Sequence, residues 1–334
     1  MLFFFSTLTF LNVIIFFTFS SIAKKINIYD FPDKKRKLHS RPVPAIGGLF
    51  VLNALILGFV YMNNYINPLF PGFKSLISFF FAGLSIFILG VFDDKFSLRP
   101  NTKLSILFFI ILILVLINDN LIIQELNFSF LDKKSYLENF SILFTVLCIL
   151  LFLNAFNMID GINLIAGLYS FFLFLYLYFI SGNEFYLFFL IALPFFLIKN
   201  FQNNSFLGNG GSLLISFIIS ICFIRSYQIS DIIYCEEIFL MMSIPGLDML
   251  RLFVSRIVSG KNPFQADRNH LHHLLINKFS YNISILILLI LLFGPIFISY
   301  LTKDLLIPIV LSIFLYSLTV FFFKKTNKKN VKKA

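Results

Sequence analysis

Asp93 and Asp94 stand side by side where the apolar run 74–92 ends. Two adjacent carboxylates at an apolar boundary repel each other and are costly unless something positive holds them. Their natural partners are a divalent cation or a lysine, and behind either a phosphate. Helix-end and turn chemistry accounts for one aspartate at such a place. It does not account for two.

Other polar motifs also fall at the ends of apolar runs. The segment from Asp30 to Gly48 carries a basic cluster, Lys34-Lys35-Arg36-Lys37, then His39, with prolines and two glycines that impose a fixed turn. The cluster suits anionic lipid or phosphate, or simply sets topology; His39 lies inside the rigid frame. Asn154 and Asn157 are three residues apart and share one helical face, and Asp160-Gly161 then breaks the helix ahead of Asn163. Capping explains one polar residue there, not four. Phe206-Leu-Gly208-Asn209-Gly210-Gly211-Ser212 precedes another run. Its glycines let backbone approach a ligand, and the start of a helix offers free N–H groups to an anion. The last motif holds Asp248 and Arg251 at pairing distance along a helix, then Arg256, Lys261, Arg268, His270, His272 and His273. Three histidines suggest zinc, but no cysteine accompanies them and the carboxylates are shared with arginines. Diphosphate is the better ligand for so many guanidinium groups.

These motifs must be positioned by membrane helices. Of 334 residues, 59% are hydrophobic and 13% charged, which excludes an ordinary soluble globule and predicts an all-α polytopic membrane protein. Apolar runs near 2–22, 45–62, 74–92, 103–118, 139–158, 162–181, 184–198, 211–228, 236–256, 282–300 and 303–323 predict about eleven transmembrane helices; 184–198 is the shortest. That number puts the N-terminus outside and the C-terminus in the cytoplasm. Of 27 Lys and Arg, only Lys74, Lys133, Lys134, Arg225 and Lys303 then fall outside or near outer helix ends, as the positive-inside rule requires. Lys24-Lys25 follow the first run directly, a pattern expected of an uncleaved first helix rather than a signal peptide. The net charge of +11 reflects basic inner loops facing anionic lipid and does not call for nucleic acid. The three cysteines form no metal-spaced motif. No internal repeat is visible. The expected organisation is one membrane-embedded domain, 1–323, with polar cytoplasmic loops at 23–43, 93–103, 157–163, 199–212 and 251–280, and a basic cytoplasmic tail at 324–334.

Taken in order from Asp30 to His273, the motifs resemble the polyprenyl-phosphate N-acetylhexosamine-1-phosphate transferases (glycosyltransferase family 4). No single motif is decisive, but the ordered set is specific. The resemblance implies a reaction at the inner surface of a bacterial cytoplasmic membrane. A UDP-N-acetylhexosamine, with UDP-GlcNAc the default, gives its sugar 1-phosphate to undecaprenyl phosphate, and UMP leaves. Both substrates are polyanions, so Mg²⁺ (or Mn²⁺) and arginines are expected to bring phosphate to phosphate. The resemblance makes Asp93 and Asp94 the catalytic pair: one deprotonates the lipid phosphate, or both help hold the metal. Asp160, Asn209 and Asp93 are the implied metal ligands. Phe206 matches an aromatic that packs on uracil, and Asn200 looks like an asparagine that contacts the nucleotide, one residue short in spacing. The run His270-Leu-His272-His273 matches a motif that helps bind diphosphate and sugar, in the form of the N-acetylglucosamine branch. His39, Asn154, Asn157, Asn163, Arg251, Arg256 and Arg268 complete the expected substrate-binding set. Family members are often homodimers.

Two departures stand out. The family's Asp-Gly-x-Asp-Gly has Asn163-Leu164 at its second pair, and its Gly-Asp-x-Gly-Ser becomes Gly208-Asn209-Gly-Gly-Ser212. An asparagine oxygen still ligates Mg²⁺ but without the charge, so weaker metal binding is expected. A catalytically altered or inactive scaffold of a glycan-assembly complex is therefore an alternative. An anionic-solute transporter is a further one, disfavoured because the polar residues crowd one face and no paired halves are evident.

Overall fold

An apolar run in a bilayer has no water to satisfy its peptide groups, so it closes its hydrogen bonds internally as a helix. The computed structural model describes residues 1–32, 41–65, 67–229, 233–263 and 269–331. Its helices are α1 (Leu2–Ile26), α2 (Gly48–Asn64), α3 (Phe73–Phe96), α4 (Pro100–Ile117), α5 (Ser141–Ile159), α6 (Ile165–Ser181), α7 (Phe185–Phe201), α8 (Gly208–Ile229), α9 (Cys235–Val258), α10 (Leu271–Ile276), α11 (Tyr281–Thr302) and α12 (Leu306–Val331). Each expected run overlies one of them. Eight are long and apolar enough to cross a membrane, while α2, α6 and α7 have 17 residues each. The short helix α10 lies within the stretch 251–280 that was expected to be loop.

The helix ends follow local chemistry. Lys24 and Lys25 occupy the last turn of α1, where the helix dipole favours cations, and Asn27 closes it in a left-handed conformation. Pro100 sits in the first turn of α4, where its missing N–H costs nothing. Gly182 ends α6, again left-handed. At the end of α7, Asn203 is left-handed, its N–H bonds the carbonyl of Asn200, and the N–H of Asn204 bonds that of Lys199. This paired reversal satisfies carbonyls that the helix leaves open.

The chain divides into two compact units. One comprises residues 1–126 and 135–232, the other 127–134 and 233–334. In the first, α8 is the central helix: 83% of its apolar stretch is buried, against 17% for α1. It packs on α2, α3, α5 and α6, while α7 packs on α1, α2 and α6, and α4 on α3 and α5. A two-residue hairpin pairs β1 (Tyr29–Asp30) with β2 (Val43–Pro44) between α1 and α2. A second hairpin pairs β3 (Glu125–Leu126) with β4 (Ser135–Tyr136). In the second unit, α9, α11 and α12 pack together, with α10 against α11 and α12.

Candidate active site

The first centre is built where α8 begins. A Cβ on Gly48 would lie 2.5 Å from the Cα of Gly211, and a Cβ on Gly90 would lie 2.5 Å from the Cα of Gly210. Glycines on both sides therefore let the first turn of α8 wedge between α2 and α3 backbone to backbone. Gly208, at φ +74°, would put a Cβ 2.4 Å from the carbonyl oxygen of Ala45 and 2.8 Å from Asp94 Oδ2. Only glycine fits there on both counts. The segment before α8 is held in register with the β1–β2 hairpin: Phe206 N–H donates to Pro44 O (2.9 Å), Gly47 N–H to Phe206 O (2.9 Å), and Gly48 N–H to Leu207 O (3.0 Å).

This wedge delivers the free N–H groups of α8 to Asp94. Asp94 Oδ1 accepts from the backbone N–H of Asn209 (3.0 Å) and from its Nδ2 (2.9 Å), and Oδ2 accepts from Gly210 N–H (3.3 Å). The anion at this helix start is the protein's own carboxylate, and the glycines serve helix packing. Hydrogen bonds to a charged acceptor contribute about 1.5–3 kcal/mol each. Asp93 points another way. It accepts from the N–H of Leu98 (2.9 Å) and from Lys103 Nζ (2.9 Å), which reaches across from α4. The repulsion expected of the pair is thus relieved by giving each aspartate its own donors.

Asp160 is different. It follows the last residue of α5, and among the described residues its carboxylate has no hydrogen-bond donor. Burial first, and the charge of Asp94 second, push its pKa well above the usual carboxylate range. A half-buried carboxylate with no donor near a second carboxylate is a place for a cation, which would offset both effects. Asn209 fits the same purpose. An ionised Asp94 only accepts, so the amide gives it Nδ2 and keeps Oδ1 for another partner. Among the described residues no three of His, Cys, Asp and Glu gather as a metal site by themselves. A cation here would take Asp160 together with the neutral oxygen of Asn209.

The neighbouring asparagines are largely engaged within the protein. Asn157 Oδ1 accepts from Ser212 Oγ (2.6 Å), which ties α5 to the first turn of α8. Asn154 spends its Nδ2 on Leu150 O in its own helix. Asn163 donates to Asn200 O (2.9 Å) and Asn203 Oδ1 (2.6 Å). Asn200, buried at 4% exposure, accepts from Leu164 N–H (2.6 Å) and donates to Ser205 O (2.7 Å) and Asn163 Oδ1 (3.3 Å). Phe206 is half-buried.

The second centre lies in the other unit. Asp248 on α9 is its hub. Its Oδ1 accepts from Arg251 Nη2 (2.8 Å) and from the hydroxyl of Tyr316 on α12 (2.9 Å). Its Oδ2 faces His270 Nδ1 at 3.3 Å, and the N–H of Leu271 lies 3.2 Å from both oxygens. Arg251 Nε donates in turn to the Tyr316 hydroxyl (2.7 Å), and its Nη2 also reaches Asn269 O. Arg256 donates to Pro263 O (2.7 Å). The rings of His270, His272 and His273 cluster with centroids 4.2 to 6.4 Å apart. Burial, then the neighbouring His273 and His270, hold His272 well below the usual histidine pKa. His39 and Arg268, both expected to bind substrate, lie outside the described residues, as do parts of the loops 23–43 and 251–280.

Sequence reasoning missed Tyr316, Lys103 and Asn203. Tyr316 sits alone in an apolar run, so no spacing pattern marks it. Lys103 reads only as a topogenic charge. Asn203 carries a signal in hindsight, since asparagine is common where a helix ends left-handed.

The glycine-wedged helix start, the divided aspartate pair and Asp160 lie within the part of the chain that resembles a known family. The profile of glycosyl transferase family 4 matches residues 76–227, from α3 through α8. Over that stretch the chain is similar to glycosyl transferase family 4. Among curated relatives it is similar to the undecaprenyl-phosphate alpha-N-acetylglucosaminyl 1-phosphate transferase of Escherichia coli O157:H7, 28% identical over 81% of this chain and 74% of that relative. It is similar to the Thermotoga maritima protein of the same name at 29% over 78% and 76%. The Yersinia pestis protein of that name is 28% identical over 78% and 72%.

Proposed function

We propose that this protein transfers an N-acetylhexosamine 1-phosphate, with GlcNAc 1-phosphate the default, from a UDP-sugar to undecaprenyl phosphate. An oxygen of the lipid phosphate attacks the phosphorus that carries the sugar. The bond from that phosphorus to the bridging oxygen breaks, and the oxygen leaves with UMP. The product is a lipid diphosphate sugar that starts a cell-envelope glycan. The observation that carries this reading is the donorless carboxylate of Asp160 under the charge of Asp94, at the start of a helix packed by glycines. The names of the relatives supply the substrate class.

Asp160, with Asn209, would hold Mg²⁺ or Mn²⁺, while Asp93, the third ligand that the resemblance implies, is given to Leu98 N–H and Lys103. When bound, such a metal neutralises phosphate charge and orients the diphosphate. Asp94 is fixed by the α8 N–H groups so that its position does not depend on substrate. The Asp93–Asp94 pair offers the base that takes a proton from the lipid phosphate. In the second unit, Asp248 orients His270 through Nδ1 and leaves Nε2 to face an anion, and the arginines and histidines there suit diphosphate and sugar. We read all eleven long helices as crossing the bacterial cytoplasmic membrane, with the N-terminus outside and the polar centres facing the cytoplasm. The clustering of Lys and Arg in the inner loops supports this.

The test uses purified protein in detergent with undecaprenyl phosphate, a panel of labelled UDP-N-acetylhexosamines and a Mg²⁺ series. Metal-dependent UMP release with a lipid-linked sugar is the expected result. No product from any donor, with Mg²⁺ or Mn²⁺, would overturn the reading and favour an inactive scaffold.

A further inference from the structure

The turn that carries Asp160 ends in a strained residue. Leu164 has φ +74° and ψ −31°. A bulky side chain seldom adopts positive φ, and such a backbone persists only where its surroundings over-determine it. The surroundings here are three asparagines. Asn200 Oδ1 takes the Leu164 N–H at 2.6 Å, and Asn163, the residue just before, is bonded to both Asn200 O and Asn203 Oδ1. The anchor is itself fixed. Asn200 and Asn203 belong to the closing turns of α7, and Asn203 is in the left-handed conformation that the helix reversal requires. Asn200 Nδ2 also bonds Ser205 O, in the segment leading to Gly208 and Asn209. One buried side chain therefore ties the turn after α5 to the chain that enters α8.

Asp160 depends on this tie. Its carboxylate has no donor among the described residues, so its place is set by the backbone on either side of it. On one side is α5; on the other is the turn that ends at Leu164. Relaxing Leu164 to negative φ would re-aim that turn. We propose that Asn200, with Asn163 and Asn203, is a positioning residue: it locks Leu164 in a glycine-type conformation and so keeps Asp160 beside Asp94. The proposal gives Asn163 and Asn200 a different task from contact with the nucleotide, since their amides are engaged with each other. Its functional half rests on the transferase reading above.

The decisive variants are Asn200→Ala, Leu164→Gly and the two combined. Glycine adopts positive φ without strain, so a glycine at 164 needs less holding. Turnover of Asn200→Ala should fall by about tenfold or more, as misplacement of a reacting group does, with KM for the UDP-sugar within about twofold of wild type. Adding Leu164→Gly should return most of the lost turnover. In thermal unfolding, Leu164→Gly alone should unfold no earlier than wild type, and Asn200→Ala should lower the midpoint less in its presence. A raised KM with unchanged turnover, and no rescue by glycine, would overturn the proposal and make Asn200 a nucleotide contact. If the wild type transfers no sugar phosphate, the transferase reading fails while the thermal comparison still reads the lock. Strictly additive midpoints would then overturn it too.

Discussion

At the scale of single residues, the two centres differ in how they manage charge. Asp93, Asp94 and Asp248 are each held by several donors, whereas Asp160 is held by none that the structure describes. His272 is managed by exclusion: burial and two histidine neighbours disfavour its protonated form. The unfolded chain takes up that proton near about pH 6.5, while the folded protein resists it. Below that pH the unfolded state binds more protons, so this contribution to stability is present above about pH 6.5 and is lost as pH falls. Asp160 has the opposite sign. Its raised carboxyl keeps a proton longer in the folded state, so its contribution is present at low pH and fades as pH rises above the ordinary carboxylate range. We predict that, between pH 7 and pH 5, the thermal midpoint in detergent of His272→Gln falls less, or rises more, than that of the wild type. An unchanged slope in the variant would contradict the assignment. The types and spacing of Asp93, Asp94, Asp160 and the histidine run were legible in the sequence because polar residues at the ends of apolar runs are conspicuous. Tyr316 was not, because its partners Asp248 and Arg251 lie far along the chain. Nor could spacing show that Asn163 and Asn200 bind each other.

At the scale of elements, the first centre depends on how closely α8 approaches α3. Gly90 and Gly210 meet backbone to backbone, so a methyl group has nowhere to go. Gly83, on the same helix, faces side chains and no backbone: Leu55 Cδ2 at 3.2 Å, Leu214 Cδ1 at 3.4 Å and Phe217 Cε1 at 3.4 Å. Gly90→Ala should therefore destabilise by about 1–3 kcal/mol through overpacking. It should also lower transfer by pulling the α8 N–H groups off Asp94. Gly83→Ala should be milder in both respects. Equal effects, read by thermal unfolding and by UMP release, would show that the wedge does not matter. Helix positions were legible from the apolar runs; their ends were less so. The run expected over 162–181 begins as helix only at Ile165, because the turn through Leu164 intervenes. The run expected over 184–198 continues to Phe201 despite Pro194, closing with the left-handed Asn203. α10 lies in a stretch read as loop; its first N–H, that of Leu271, is taken by Asp248 from a distant helix.

At the scale of the molecule, charge asymmetry and site placement make one claim. The basic loops and the aspartate centre should share a face. With the native cysteines replaced, a single cysteine at position 133 should react with an impermeant thiol reagent in intact cells. One at position 278 should react only after permeabilisation. The reverse pattern would invert the topology and place the centre away from cytosolic nucleotide sugars.

The central claim is that the carboxylates around the start of α8 transfer sugar phosphate to a lipid phosphate. Its most direct test compares wild type with Asp94→Asn and Asp160→Asn for lipid-linked sugar formation, in the same detergent, at saturating UDP-sugar and Mg²⁺. We predict transfer by the wild type and a loss of at least about a hundredfold in each variant, the scale of removing one electrostatic group from a transition state. Wild-type transfer that survives nearly unchanged in both variants would contradict the account and place the chemistry elsewhere in the protein.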